Sequence, residues 1–393
     1  MGFDKNSYRF SDVKNRGWIY LVVGIAALAL SLFGYFIDSE QFFHSYLVAF
    51  VFWCTIGLGG LFFVMIHYLT NATWSVVIRR LAENVMSIMP LVAIFAFPVL
   101  FGLGDLYHWS HADAVRSDHL LQGKSAYLNV PFFIIRLVIY FIIWILLSRY
   151  LFRLSLRQDM EHNDSVLRRA VKISAPGMIL FAVTVTFFSF DLLMSLDAHW
   201  YSTIFGVYVF AGSFLSLLSF ITIYIISLRK RGILAETITL EHFRDLGKLI
   251  FAFLIFWGYM AFSQYFLIWY GNIPEETVWF LHRWDGSWKI ISLILVFGHF
   301  VIPFFVLFPM EIKRNIPVMT VMGVWILFMH WIDIYWIVMP SYDHHGVQFS
   351  WMDITSMMGI GGFFVWRFLR NINAHPLVPI NDPRLENSIK IIS

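Results

Sequence analysis

Among the ionisable side chains inside stretches otherwise fit for lipid, five could act on protons: Arg136, Asp191, His299, His330 and Asp333. A charged group at the centre of a bilayer helix costs roughly 2.5 to 3.5 kcal/mol on insertion scales, so each needs a partner or a task. At about 1.5 Å of rise per residue, Arg136 falls roughly 8 Å below the outer end of its helix and Asp191 roughly 6 Å below the outer end of the next. Similar depth on consecutive helices predicts that the two pair, each offsetting the other's desolvation. The competing reading lets Arg136 snorkel to the interface, with the pair only setting helix register. His330 and Asp333 are three residues apart and share a helix face, with His299 in the middle of the preceding helix. Tyr259, Ser263 and Gln264 on the helix before that could extend the set. Imidazole, carboxylate and hydroxyl in one column suit proton transfer. A hydrogen-bonded packing role is the plainer reading of any single histidine. Ligation of a b-type haem by His299 and His330 is disfavoured, because the paired in-helix histidines typical of such sites are missing.

These groups must be positioned by membrane helices. Of 393 residues, 59% are hydrophobic and 13% charged, with mean hydropathy +0.70, far from a soluble composition. Apolar runs of bilayer length fall at 17–37, 45–69, 85–104, 130–148, 173–195, 202–227, 248–270, 288–310, 316–338 and 350–369. The expected fold is therefore all-α, a polytopic membrane protein of ten transmembrane helices in a single integral domain. With the N-terminus placed inside, 23 of the 28 basic residues fall in inside segments, among them Lys5, Lys14, Arg16, Arg79, Arg80 and Arg384. Both termini are thus expected in the cytoplasm. The first run follows a polar lead without a cleavage pattern and is expected to be retained. His67, near the inner end of the second run, is expected at the interface. The single cysteine, Cys54, cannot build a disulfide, a Cys-ligated cluster or a CxxCH haem attachment, so such centres would belong to partners.

The stretch "FFSFDLLMSLDAHW" (187–200) adds Asp197 and His199 just beyond Asp191, and it has relatives within the chain: "DSEQFFHSYLVAF" (38–50) and "DHHGVQFSWMDIT" (343–355). Each holds an Asp, a following His (His44, His199, His345) and a re-entering helix. Small-residue patches follow at 57–60, 211–213 and 359–362, of the kind that lets helices approach closely in lipid. Spans five and nine share Pro176 and Pro317 as well as Asp191 and Asp333. The repeat predicts two four-helix bundles, spans two to five (45–195) and six to nine (202–338), flanked by span one (1–44) and by span ten with a tail (350–393). The acid- and histidine-rich outer loops, such as "GDLYHWSHADAVRSDH", are either solvated surface or a contact face for a partner.

The segments "FFSFDLLMSLDAHWYSTIFGVYVFAGSF", "FAFLIFWGYMAFSQYFLIWYGNIPEET" (251–277) and "HPLVPINDPRLENSI" (375–389) resemble the NrfD/polysulfide-reductase membrane-anchor family, in particular the ActF-type subunits of bacterial alternative complex III. The resemblance covers nearly the whole chain. It implies a multi-pass subunit of the bacterial inner membrane, in a complex that oxidises quinol and passes electrons to cytochrome c or a terminal oxidase. It also implies a homologous membrane subunit, an iron–sulfur subunit and c-type cytochrome subunits as partners carrying the haems and clusters. Within this chain it implies contact with menaquinone or another quinone, proton translocation, and no covalently bound cofactor. No family quinone-site motif can be matched position by position, so Asp191, Asp197 and His199 are quinone-contact candidates on their own chemistry only. Proton-transfer candidates are Arg136, Asp191, His299, His330 and Asp333. Neither a metal site nor a nucleic-acid partner is expected, membrane lipid being the surrounding medium. The rival class is a secondary transporter, against which only span three, with Pro90 and Pro98, looks interrupted; a purely structural anchor is the third reading.

Overall fold

The apolar runs fold as helices, several of which, at 29 to 32 residues, continue well past the stretch a bilayer covers. In the computed structural model, which describes residues 3–4, 8–10, 17–161, 164–343 and 346–391, α1 is Gly17–Tyr35, α2 Ser39–Leu69, α3 Val76–Phe101, α4 Val130–Gln158 and α5 Asp164–Leu192. Then follow α6 Phe205–Lys230, α7 Leu240–Gly271, α8 Trp288–Leu307, α9 Ile316–Val338 and α10 Trp351–Ala374. Among the described residues, nine helices are long and apolar enough to cross a membrane, and α10, with Asp353, Arg367 and Arg370, falls outside that set. A two-residue antiparallel pair, Phe3–Asp4 with Arg9–Phe10, lies near the N-terminus. Lys5, Lys14, Arg16 and His345 lie outside the described residues.

Helix starts are set by capping chemistry that hydropathy does not register. The α2 helix begins at Ser39 because Asp38 accepts the Gln41 amide at 2.9 Å, and Thr239 with His242 closes a capping box on α7. The prolines act where expected: α3 is built of three pieces, Val76–Met86, Met89–Phe95 and Phe97–Phe101, because Pro90 and Pro98 each remove a helical donor. An irregularity the apolar pattern hides is in α8, where Leu295–Val301 is π-helical just before Pro303. Pro303 cannot donate to the His299 carbonyl, and the ladder widens there.

The α2 helix is buried on almost all sides and packs on α6, α10, α3, α5 and α9, with α6 also central to α7 and α9. The small-residue patches serve this packing. A Cβ on Gly59 would lie 2.6 Å from the Ser213 carbonyl of α6, and one on Gly362 would lie 2.6 Å from Gly24 of α1. Other parts of the expected repeat do not match in space. His44 is buried within the second turn of α2, whereas His199 is half-exposed in a loop; Pro176 is inside α5, whereas Pro317 opens α9.

Two ends of the helix array differ in character. At one end, residues from 104–120, 193–200, 275–283 and 337–341 line a cavity; at the other, residues of the 375–391 tail bond back to the ends of α3, α4 and α7. We call these the cavity face and the tail face.

Candidate functional site

The cavity-facing end of α4 carries Arg136 and Tyr140 on one face, one turn apart, against Asp191 in the last turn of α5. Arg136 donates to both carboxylate oxygens of Asp191, from Nε at 2.9 Å and from Nη2 at 2.8 Å, and Tyr140 adds a third donor at 2.7 Å. The remaining Nη1 reaches the Tyr127 carbonyl at 2.8 Å, and the guanidinium lies 3.8 Å from the Tyr127 ring centroid and 4.4 Å from that of Phe132. Arg136 is 6% and Asp191 1% exposed, so the arginine does not snorkel. This is a bidentate, desolvated pair with a third donor, the form in which a buried ion pair is best compensated.

The second set gathers at the junction of α6, α7 and α9. Asp333 accepts from the Tyr208 hydroxyl and from Trp257 Nε1 at 3.1 Å. Trp257 also stacks on His299, with ring centroids 3.9 Å apart, and links the two ionisable groups. His299 is fully buried, and among the described residues neither ring nitrogen has a hydrogen-bond partner. His330 reaches Thr55 of α2 through Nε2 at 3.0 Å; the single Thr55 hydroxyl proton goes to the Phe52 carbonyl at 2.8 Å. That pattern assigns the proton to His330 Nε2 and leaves Nδ1 a bare, unpartnered acceptor. Gly212 makes room for this arrangement, since a Cβ there would lie 3.0 Å from His330 Cε1. Of the residues expected to extend the set, Gln264 is buried and accepts from Ser202, but Tyr259, two residues from Trp257 and so turned away from the buried stripe of α7, is 61% exposed.

Both sets lie directly beneath the cavity, which measures about 630 Å³. Leu193 and Leu196, just past Asp191, form part of its wall, as does Ile337, one helical turn beyond Asp333. Asp197 and His199 line it; Asp191 does not, because its carboxylate is turned toward α4. The loop after α3, in short helices rather than extended chain, braces this wall: Tyr107 donates to the Leu192 carbonyl, Trp109 to Ser195 and Lys124 to Ala198, at 3.0, 3.2 and 2.6 Å. His199 Nε2 meets Asp118 at 2.5 Å, and this hydrogen bond holds the Asp118 carboxyl below its usual range.

Three lining groups were not legible beforehand. Trp200 and Trp279 stack at 4.3 Å and 11°, and the Trp200 indole nitrogen is buried without an acceptor. Arg283 is 5% exposed, lies 3.4 Å over the Trp279 ring, and donates to the carbonyls of Trp279, Trp336 and Ile337. Burial pulls its guanidinium down to about 9, the Asp197 carboxylate opposing; it stays a cation at neutral pH. Arg283 reads in sequence as one more loop cation, and only its place between two tryptophans, in "WFLHRWDG", hinted otherwise.

The tail face holds charges expected on the surface. Arg79, Arg80 and Glu83 are 2%, 0% and 0% exposed. Arg79 bonds Glu83 at 3.1 Å and Asp382 of the tail at 2.8 Å. Arg80 bonds Asp159 Oδ1 at 2.9 Å and lies 2.9 Å from Glu83, at an angle that makes this an ion pair rather than a hydrogen bond. Arg384 clamps Asp382 through Nε and Nη2 at 3.0 and 2.9 Å. Burial pushes the Asp382 carboxyl up, but the hydrogen bonds and charges of Arg384 and Arg79 outweigh it and hold it well below the carboxylate range. His67 is buried beneath this cluster, bonded to the Phe63 carbonyl at 2.6 Å, because the tail covers the position expected at an interface. Asp353 of α10 is likewise buried, accepting from Ser45 at 2.6 Å and from its own N-cap amide at 2.8 Å.

Among the described residues, no group of three or more His, Cys, Asp or Glu side chains could hold a metal ion. Comparison with protein-family models and with curated proteins gave no match to this chain.

Proposed function

We propose that the chain is an integral membrane subunit of a quinol-oxidising respiratory electron-transfer complex in the bacterial inner membrane, of the ActF type. In this reading α1 to α10 all span the membrane, with both termini cytoplasmic and the cavity face outward, and the haems and iron–sulfur clusters sit on partner subunits. The observation that carries the reading is the convergence of two desolvated carboxylate clusters, at Asp191 and Asp333, beneath one cavity.

The cavity lining fits a quinol head group by chemistry. Arg283 and the Trp200 indole supply donors for oxygen, Asp197 and His199 supply acceptors for hydroxyl protons, and the stacked tryptophans supply a flat apolar wall. Quinol oxidation releases two protons and two electrons. The electrons must leave through partners, since this chain has one cysteine and no haem-attachment motif. The protons can be taken up by acceptors at the cavity wall, Asp197 and His199. Proton movement further in, to Asp333 and His299, is supported by the unpartnered nitrogens of His299 and His330, which are open to a proton or a water.

Purification in mild detergent tests the reading. Co-purification with multihaem cytochrome and iron–sulfur subunits, with quinol oxidation that weakens in KM on Asp197→Asn or His199→Gln, is expected. A chain that purifies alone and carries a solute across vesicles would contradict it.

A further inference from the structure

Near the tail face, a groove of about 300 Å³ runs between α4 and α5, walled by Leu146, Leu147, Tyr150, Arg153 and Ile173. Leu146 is 63% and Tyr150 44% exposed, so the groove opens on the outer surface of the helix array. Spacings of three and four residues put Leu146, Tyr150, Arg153 and Arg157 on one face of α4, and Arg169, Lys172, Ile173 and Pro176 on one face of α5. Both faces run from apolar to basic toward the tail face. Arg149, Arg153 and Lys172 are exposed there, and among the described residues no carboxylate pairs with them, whereas Arg157 pairs with Glu161 at 2.9 Å. Pro176 has no N–H for the Lys172 carbonyl, which leaves an acceptor beside the cations. Gly177 lets Leu147 close the groove floor, within 3.1 Å of where a Cβ would stand.

We propose that this groove is a binding site for an anionic phospholipid, with an acyl chain along Leu146, Leu147 and Ile173 and the phosphate among Arg149, Arg153 and Lys172. Charge selects the ligand: Arg153 lines the groove, Arg149 and Lys172 are exposed near it on the two helices, none of them paired with a carboxylate among the described residues, and a basic pocket between membrane helices favours acidic head groups. A neutral lipid would fill the groove and leave the cations unanswered. The inference is independent of the quinol reading, since it concerns the opposite end of the helices.

The test is native mass spectrometry of the full chain in a neutral detergent, titrated with phosphatidylglycerol or phosphatidylcholine. Phosphatidylglycerol is expected to be retained preferentially. Arg149→Gln/Arg153→Gln/Lys172→Gln should weaken its retention by about five-fold per cation, roughly a hundred-fold together. A charge-matched control, Lys230→Gln/Arg231→Gln/Lys289→Gln, should leave it unchanged. Leu146→Trp, at an exposed position, should block the groove and lower retention without moving the melting temperature. Equal retention of the two lipids would overturn the charge selection, and equal weakening in the triple variant and the control would overturn the site in favour of diffuse surface attraction.

Discussion

Removing one partner of the Arg136–Asp191 pair should cost far more than removing both. Arg136→Leu leaves Asp191 buried at 1% exposure with only the Tyr140 hydroxyl as donor. The carboxylate must then stay charged without a cation or take up a proton, and breaking such a pair typically costs about 3 to 5 kcal/mol. Asp191→Leu leaves the guanidinium with the Tyr127 carbonyl and two ring faces. Its longer side chain can also swing toward the cavity face, so its loss should fall at the lower end of that range. The double leucine variant removes both charges and leaves one unpaired Tyr140 hydroxyl, a cost of about 1 to 3 kcal/mol. The coupling energy should therefore reach roughly 3 kcal/mol or more, far above the 0.5 kcal/mol scatter of independent sites. Denaturant-induced unfolding of the four proteins in one detergent at one pH measures it. Additive losses would refute the pairing as an energetic fact, whatever its geometry.

Gly212→Ala should displace His330 from Thr55 and cost about 1 to 3 kcal/mol, read as a lower melting temperature; Gly123→Ala, with open space around it, is the control. Trp257→Phe keeps a ring on His299 but deletes the donor to Asp333, and should cost about 1 to 3 kcal/mol by the same assay. Because the folded Asp382 carboxyl is held below its unfolded value, its contribution to docking the tail is complete above pH about 4 and is lost as pH falls through the folded value. Hydrogen-exchange protection of residues 375–391, taken relative to the intrinsic rate at each pH, should therefore fall in acid, and in Asp382→Asn it should be low already at neutral pH; equal protection in all three conditions would remove the tail cluster from the account.

Much of the scaffold was legible because long apolar runs admit few alternatives, and similar depth made the Arg136–Asp191 pair one of two readings, beside a snorkelling Arg136. Helix ends were less legible: caps such as Asp38 and Thr239 extend helices into polar sequence that hydropathy ignores. The π-helical turn at His299 was readable in principle from Pro303, which lies four residues beyond it. Arg79 and Arg80 were read as cations of an inside segment because nothing local reveals that Glu83 and a tail some three hundred residues away bury them. The second carboxylate set was half legible. Spacing joined His330 to Asp333, but Tyr208 and Trp257, which hold Asp333, come from other helices and carry no charge to mark them.

The most direct test of the proposal that the carboxylates beneath the cavity move protons rather than only hold helices is the proton-to-electron ratio of the proposed quinol-oxidising complex bearing Asp333→Asn. Asparagine keeps an oxygen for Tyr208 and Trp257 but cannot ionise. The account predicts full assembly with a reduced ratio; full assembly with the wild-type ratio would contradict it and leave Asp333 a packing residue.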